Sequence, residues 1–314
     1  IGAGMGFYGD SILPALETLR RGQVQYLAMD HLAELTLAIL QKDRQRDPTL
    51  GYTRDMGEVM GRLLPEAVPR GVRLITNGGG INPPGAAREV LRVARELGLE
   101  GLRVAVVTGD GIGDRLEELE AAGVRFADPE RGRTLAEVRD RVLFASVYLG
   151  AGPIVRALQM GADVVVTGRT TDTAPFAAPL IHKFGWAPDD WDRLAVGIVA
   201  GHLLECSGQA TGGNFSGRWW EVEGLDRIGY PIAEVDEGGG LVITKAEGTG
   251  GLVTVDTVKE QLLYEIHDPA QYLTPDVTVD LSQVRLQPAG PDRVRVSGIR
   301  GRPAPPTLKA LVGY

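Results

Sequence analysis

Four short apolar runs, Gln25–Asp30, Val72–Thr76, Arg103–Thr108 and Asp163–Thr167, each stop at a polar or glycine-rich loop. A run that is apolar at nearly every residue, rather than at every second one, predicts a strand covered on both faces. Between the runs, Gly85–Leu97 and Asp114–Ala122 place Val, Leu and Ala at helical spacing, which predicts the covering helices. This alternation specifies an α/β fold built on a mostly parallel, doubly wound (Rossmann-like) sheet. Near Gly208–Arg218 the texture changes, and Leu241–Lys245, Val277–Leu286 and Arg293–Ser297 read as strands around one helix, Val255–Ile266. The expected organisation is an α/β domain over residues 1–210 and a smaller α+β lobe over 211–314. Ile1 and the stretch Leu308–Tyr314 both read as strands cut through, so a longer native chain is expected, with the second lobe truncated at its C-terminus.

Ligands of open α/β sheets bind where the parallel strands end, so the residues just after each run carry the functional information. Glycine is unusually common there. The chain holds 43 in 314 residues, roughly double the usual share, and glycine lets backbone approach a ligand closely. Gly4-Met-Gly6-Phe-Tyr-Gly9 followed by Asp30 has the letters of a dinucleotide fingerprint with its ribose-binding acid. The competing reading is a tight turn into a helix Ser11–Arg20, with Asp10 or Ser11 as its cap.

Asn77-Gly78-Gly79-Gly80-Ile81-Asn82 exposes successive amides ahead of a helix, a place for an anion or a carbonyl. Turn formation explains the same letters. Asp110 reads as a helix cap or a site acid. Gly168-Arg169-Thr-Thr-Asp172 sets an arginine beside hydroxyls and an acid, suited to a carboxylate or phosphate, or to an internal Arg169–Asp172 pair. Lys245 with Gly248-Thr-Gly250-Gly251, leading into a helix, forms a second candidate anion cradle.

The segment Leu194–Cys206 is apolar around its whole circumference, which predicts a buried helix. His202 and Glu205 share one face of it, as an acid/base pair or as a structural hydrogen bond. That pair supplies too few ligands for a metal, and none is expected. The single cysteine, Cys206, excludes a disulfide framework and a cysteine-rich metal site, and fits a cytoplasmic setting. A net charge of −8 without a basic stripe argues against nucleic acid as a partner. No apolar run approaches the length of a membrane span. A small-molecule substrate is the expected partner, with a homo-oligomer a further expectation.

A set of segments spread along the whole chain stands out together: Gly2-Ala3-Gly4 with Gly9-Asp10, Leu32-Ala-Glu34, Thr76–Gly79, Tyr148–Ala151 and Thr167-Gly168-Arg169 with Asp172. Leu180–Trp186, Gly201–Cys206, Thr211–Gly213, Thr244-Lys245, Gly248–Gly251, Val258–Glu265, Asp268-Pro269 and Pro275-Asp276 continue it. In these segments the chain resembles the acyclic terpene utilisation protein A (AtuA) family. The resemblance implies a place in the catabolism of acyclic terpenes through branched acyl-CoA thioesters, and it supplies no reaction. Some members carry a further ferredoxin-like domain after this region.

On that setting the leading expectation is an enzyme with lyase- or hydratase-type chemistry on a carboxylate or CoA thioester. Arg169 and Lys245 would hold an anionic group. Asn77, Gly78, Gly79, Asn82, Gly250 and Gly251 would bind the substrate, and His202, Glu205 or Asp172 would move protons. No cofactor is assigned. An NAD(P)-dependent oxidoreductase and a non-catalytic subunit of a catabolic complex are the alternatives.

Overall fold

In the computed structural model of the chain, which describes residues 1–128 and 131–314, the four apolar runs become neighbouring strands of one sheet. The strands are β1 (Gly2–Ala3), β2 (Tyr26–Met29), β3 (Arg73–Thr76), β4 (Val104–Val107), β5 (Phe144–Val147), β6 (Val164–Thr167) and β7 (Pro231–Val235). They continue with β8 (Leu241–Lys245), β9 (Tyr272–Leu273), β10 (Thr278–Asp280), β11 (Arg285–Gly290), β12 (Arg293–Ser297), β13 (Arg300–Arg302) and β14 (Ala310–Gly313). The helices are α1 (Leu13–Arg21), α2 (Glu34–Arg46), α3 (Met56–Ala67), α4 (Pro83–Glu96), α5 (Leu116–Ala121), α6 (Gly152–Gln159), α7 (Ala174–Phe184), α8 (Trp191–Leu204) and α9 (Val255–Leu263).

The large sheet runs β11-β12-β8-β7-β1-β2-β3-β6-β4. From β1 to β4 the strands are parallel, in registers such as Leu27↔Leu74 and Leu74↔Val164. From β1 through β7 to β11 they alternate in direction. The result is a mixed α/β fold whose sheet runs without a break across residue 210. Smaller antiparallel sheets, β13-β10-β9 and β14-β5, flank it.

Pleating explains the continuous apolar runs. Leu27, Met29, Leu74, Val164 and Val166 pack against α1, α3 and α4 on one face, while Ala28, Ile75 and Val165 pack against α6, α7 and α8 on the other. The run at 104–107 is the exception, because β4 pairs with β6 alone and lies at the sheet edge, leaving Val106 39% exposed. The single strand expected over Val277–Leu286 is divided into β10 and β11. Asp280 accepts a hydrogen bond from the amide of Ser282 at 2.9 Å and turns the chain between them. Among the described residues no helix is long and apolar enough to cross a membrane.

Candidate functional site

The carboxyl ends of β1, β2, β3 and β6 converge on one group of polar side chains. Asn77, wholly buried after β3, ties two strand ends together. Its Oδ1 accepts from the amide of His31 at 2.7 Å and its Nδ2 donates to Asp30 Oδ1. The amide of Asp30 donates to Met5 O at 3.0 Å. The loop after β1 then passes against the end of α8. A Cβ on Gly6 would stand 2.6 Å from Glu205 O and from the amide nitrogen of Ser207. Gly6 therefore serves close packing of the chain on itself, and Asp30, the expected ribose acid, is turned inward and held by Asn77.

Arg169, 2% exposed, is the largest buried side chain of the site. One guanidinium nitrogen donates to Leu32 O and another to Asp172 Oδ1, and the group lies 4.2 Å over the ring of Tyr148. Tyr148 in turn donates to Glu34. The loop is fixed from behind by Asp110, which accepts from the Arg169 amide at 2.9 Å. Gly168 leaves room for that contact, since a Cβ there would stand 2.5 Å from the Asp110 carboxylate oxygens. Asp110 is thus a brace for the loop, and the Arg169–Asp172 pair forms as the spacing allowed.

Carboxylate oxygens of Asp30, Asp172 and Glu205 lie within 4.8 Å of one another. They arrive from β2, from the loop after β6 and from the end of α8. Asp30 and Glu205 are buried, whereas Asp172 keeps 36% side-chain exposure and is the member that water reaches. Three acids with one guanidinium beside them cannot all ionise cheaply. Burial, followed by the charge of Asp172, pushes the Asp30 carboxyl up to about 8. Burial, then Asp172, Asp30 and Glu265, pushes Glu205 well above its ordinary value. Burial also raises Asp172, and Arg169 pulls it back.

His202 completes the cluster. Its Nε2 lies 3.3 Å from Leu262 O, a group that only accepts, so Nε2 carries the proton. Burial pushes the imidazole down to about 4, leaving it neutral. Nδ1 then offers a lone pair toward Glu205 Oε1 at 3.6 Å, an arrangement that favours a protonated Glu205. An all-oxygen trio of this type also suits a hard divalent cation such as Mg²⁺ or Ca²⁺.

The raised carboxyls have a measurable consequence. The fold prefers Asp30 protonated, so its contribution to stability is complete below the ordinary value of 3.8 and is lost as pH rises through about 8. Urea midpoints should fall from about pH 5 to about pH 9, less steeply in Asp30→Asn. Parallel slopes in the two proteins would show that Asp30 does not carry the effect.

Of the residues expected from sequence, the fold brings together Asn77, Arg169, Asp172, His202 and Glu205. Gly78 and Gly79 pack beside them, a Cβ on Gly78 standing 2.6 Å from His31 Nδ1. Asn82 is spent as a cap: its Oδ1 accepts from Gly85 N at 3.1 Å and its Nδ2 donates to Thr49 O and Leu50 O. Lys245 pairs with Asp292 at 3.1 Å and donates to Thr249 O. The amides of Gly250 and Gly251 are already donated to Arg227 O and Glu223 O. Sequence reasoning missed Asp30 as an acid of the site, His31, and Tyr272, whose ring lies 5.7 Å from that of His202. Their only signal was position: Asp30 and His31 directly follow β2.

Buried polar side-chain atoms without a partner mark the same place. Among the described residues they belong to His31, Thr53, Asp55, Arg169, Thr170, Thr171, Thr173 and Gln261, whereas the large majority of buried side-chain polar atoms are ordinarily satisfied. His31 and Arg169–Thr173 sit at strand ends, Thr53 donates its amide to Gly78 O at 2.9 Å, and Gln261 Nε2 donates to His202 O at 2.7 Å. Two open clefts, of about 480 and 450 Å³, lie instead by Ile1, Gln25 and Lys245 and by Arg73, Leu102 and Asp163. They lack this concentration of unpaired groups.

The family model described as acyclic terpene utilisation family protein AtuA matches residues 1–314, the whole chain. Neither the curated proteins nor the solved structures contain a match.

Proposed function

The chain belongs to the acyclic terpene utilisation (AtuA) family, and from that membership we propose a cytoplasmic enzyme of branched acyl-CoA catabolism with lyase- or hydratase-type chemistry on a carboxylate or CoA thioester. In this reading the five parallel strands with helices on both faces form a doubly wound, Rossmann-like unit that presents the site at its strand ends. One observation carries the proposal: three carboxyl groups lie within 4.8 Å of one another, each pushed above its ordinary value, beside buried polar groups that lack partners. A group that holds its proton near the working pH can give it or take it.

Removal of a proton beside a carbonyl and protonation of a departing oxygen are the two transfers that lyases and hydratases need. Asp172, the most accessible of the three, takes the role of base in this reading, with Arg169 favouring its ionised form against the larger opposing effect of burial. Glu205, its proton favoured by neutral His202, is placed as the acid. Arg169, whose terminal nitrogens are occupied by Leu32 O and Asp172, acts by positioning Asp172.

The test is incubation of the pure protein in D₂O with a panel of branched acyl-CoA thioesters and the free acids, followed by mass spectrometry. Deuterium incorporation or product formation is expected in the wild type and is lost in folded Glu205→Gln and Asp172→Asn. Absence of both across the panel defeats the proposal. Turnover that stops with EDTA and returns with Mn²⁺ would transfer the trio from proton exchange to metal binding.

A further inference from the structure

We infer that Lys309 receives the anionic group of the ligand, and that this group is a free carboxylate on the reacting skeleton. The inference rests on reading the acid cluster as the reaction site. It fills a role that two other cations are not free to play. The terminal nitrogens of Arg169 are taken by Leu32 O and Asp172, and Lys245 is held by Asp292 and Thr249 O.

Backbone pairing brings Lys309 to the site. It stands directly before β14, which pairs with β5, and its carbonyl accepts from the amide of Tyr148 at 3.0 Å, one step beyond the pair Ala310↔Val147. Lys309 Nζ lies 4.8 Å from the centre of the Tyr148 ring, and the Arg169 guanidinium lies 4.2 Å from it. The same ring thus holds both cations. Tyr148 also donates to Glu34 Oε1, which lies 3.6 Å from Lys309 Nζ.

The two cations differ in what is left to offer. Arg169 is 2% exposed, whereas the Lys309 side chain is 70% exposed. An ammonium carries three N–H donors, and among the described residues none of these completes a hydrogen bond, since Glu34 Oε1 stands beyond hydrogen-bonding distance. Glu34 is itself 55% exposed, and an ion pair so open to water is weak enough to give way to a ligand. Asp172 keeps 36% side-chain exposure. Asp172 and Lys309 therefore both face solvent, and a ligand reaches them without an enclosed cavity. Lys309 is also near enough for its charge to act on Asp172: burial lifts that carboxyl, and Arg169 and, to a lesser degree, Lys309 draw it back.

Position selects the anion. The phosphates of coenzyme A are separated from the thioester by the whole pantetheine arm, whereas Lys309 stands beside the base of the proposed reaction. A carboxylate a few bonds from the reacting carbon fits that spacing. The acid cluster repels an anion, so the carboxylate end is steered to the ammonium and the carbon chain is left over Asp172.

The experiment titrates the full chain by NMR with isovalerate, with its neutral amide isovaleramide, and with coenzyme A as the phosphate probe. The wild type should bind isovalerate more tightly than the amide. Lys309→Gln should weaken isovalerate about fivefold, the upper end for an exposed charge pair, and leave the amide unchanged. Lys309→Arg should restore the preference, and Glu34→Gln, which removes the competing charge, should tighten isovalerate. The urea midpoint of Lys309→Gln should match wild type, so that lost binding is not lost folding. Equal binding of acid and amide, including none, overturns the inference, as does unchanged isovalerate binding in Lys309→Gln. Weakening of coenzyme A alone makes Lys309 a phosphate contact and overturns the carboxylate assignment. The titrations need no turnover. An indifferent Lys309→Gln leaves deuterium exchange at the cluster standing, whereas absent exchange leaves the carboxylate preference and its loss in Lys309→Gln standing, so the two readings fail separately.

Discussion

Glu205→Gln should lower turnover by about 100- to 10,000-fold, the span typical of one positioned acid or base, while the chain remains folded. Glutamine keeps the size and one oxygen of the side chain, and it removes the exchangeable carboxyl proton. It also removes a group that burial and the charges of Asp172 and Asp30 make costly to ionise, so folding stability at neutral pH should hold or rise. On the proposed mechanism the effect should fall on kcat, because Glu205, 6% exposed, would hold the transferred proton rather than bind the body of the ligand. Steady-state kinetics together with a urea curve check both halves. Wild-type turnover in a folded variant would remove Glu205 from proton transfer.

Arg169→Met should destabilise the chain by about 2–3 kcal/mol at neutral pH, less than the about 3–5 kcal/mol of a pair buried on both sides, because Asp172 keeps 36% side-chain exposure. The guanidinium is the counter-charge that Asp172 contacts directly, and it also bonds Leu32 O and packs on Tyr148. Methionine fills comparable volume, which isolates the loss of charge and hydrogen bonds from the loss of packing. The deficit should shrink at about pH 5, where the carboxyls left behind take up protons. Urea denaturation at the two pH values measures it. A loss of about 0–1 kcal/mol, the worth of an exposed pair, would contradict the buried arrangement.

The strands were legible wherever burial on both faces wrote itself into consecutive residues. Val164–Thr167 is such a case, flanked by β3 and β4 and covered by helices on each side. Their order was not legible, because nothing local to β6 says that it inserts between two strands preceding it in the chain. The His202–Glu205 pair could be read from helical spacing alone. Its third and fourth partners, Asp30 and Asp172, come from distant segments, and only the sheet register brings them together. Asp30 shows how spacing misleads: its distance from the first glycines suggests a ribose ligand, while Asn77 turns it into the acid cluster. The Gly248–Gly251 loop shows the converse limit. Letters reveal that amides exist there, but whether those of Gly250 and Gly251 are free depends on Arg227 and Glu223, far outside the motif.

The insertion of β6 between β3 and β4 also sets a schedule for chain synthesis. When residues 104–107 leave the ribosome, the strand they will pair with lies about 60 residues further on, so β4 has no partner and β3 keeps an open edge. Only after Val164–Thr167 emerges can the parallel half close, and with it the loop that brings Arg169 and Asp172 beside Asp30. Glu205 follows later still. The acids of the site are thus assembled in the order Asp30, Asp172, Glu205, and the guanidinium is in place before the third charge arrives. A nascent chain halted before residue 164 would display an unpaired apolar edge, which is the form in which partly made sheets attract chaperones or one another.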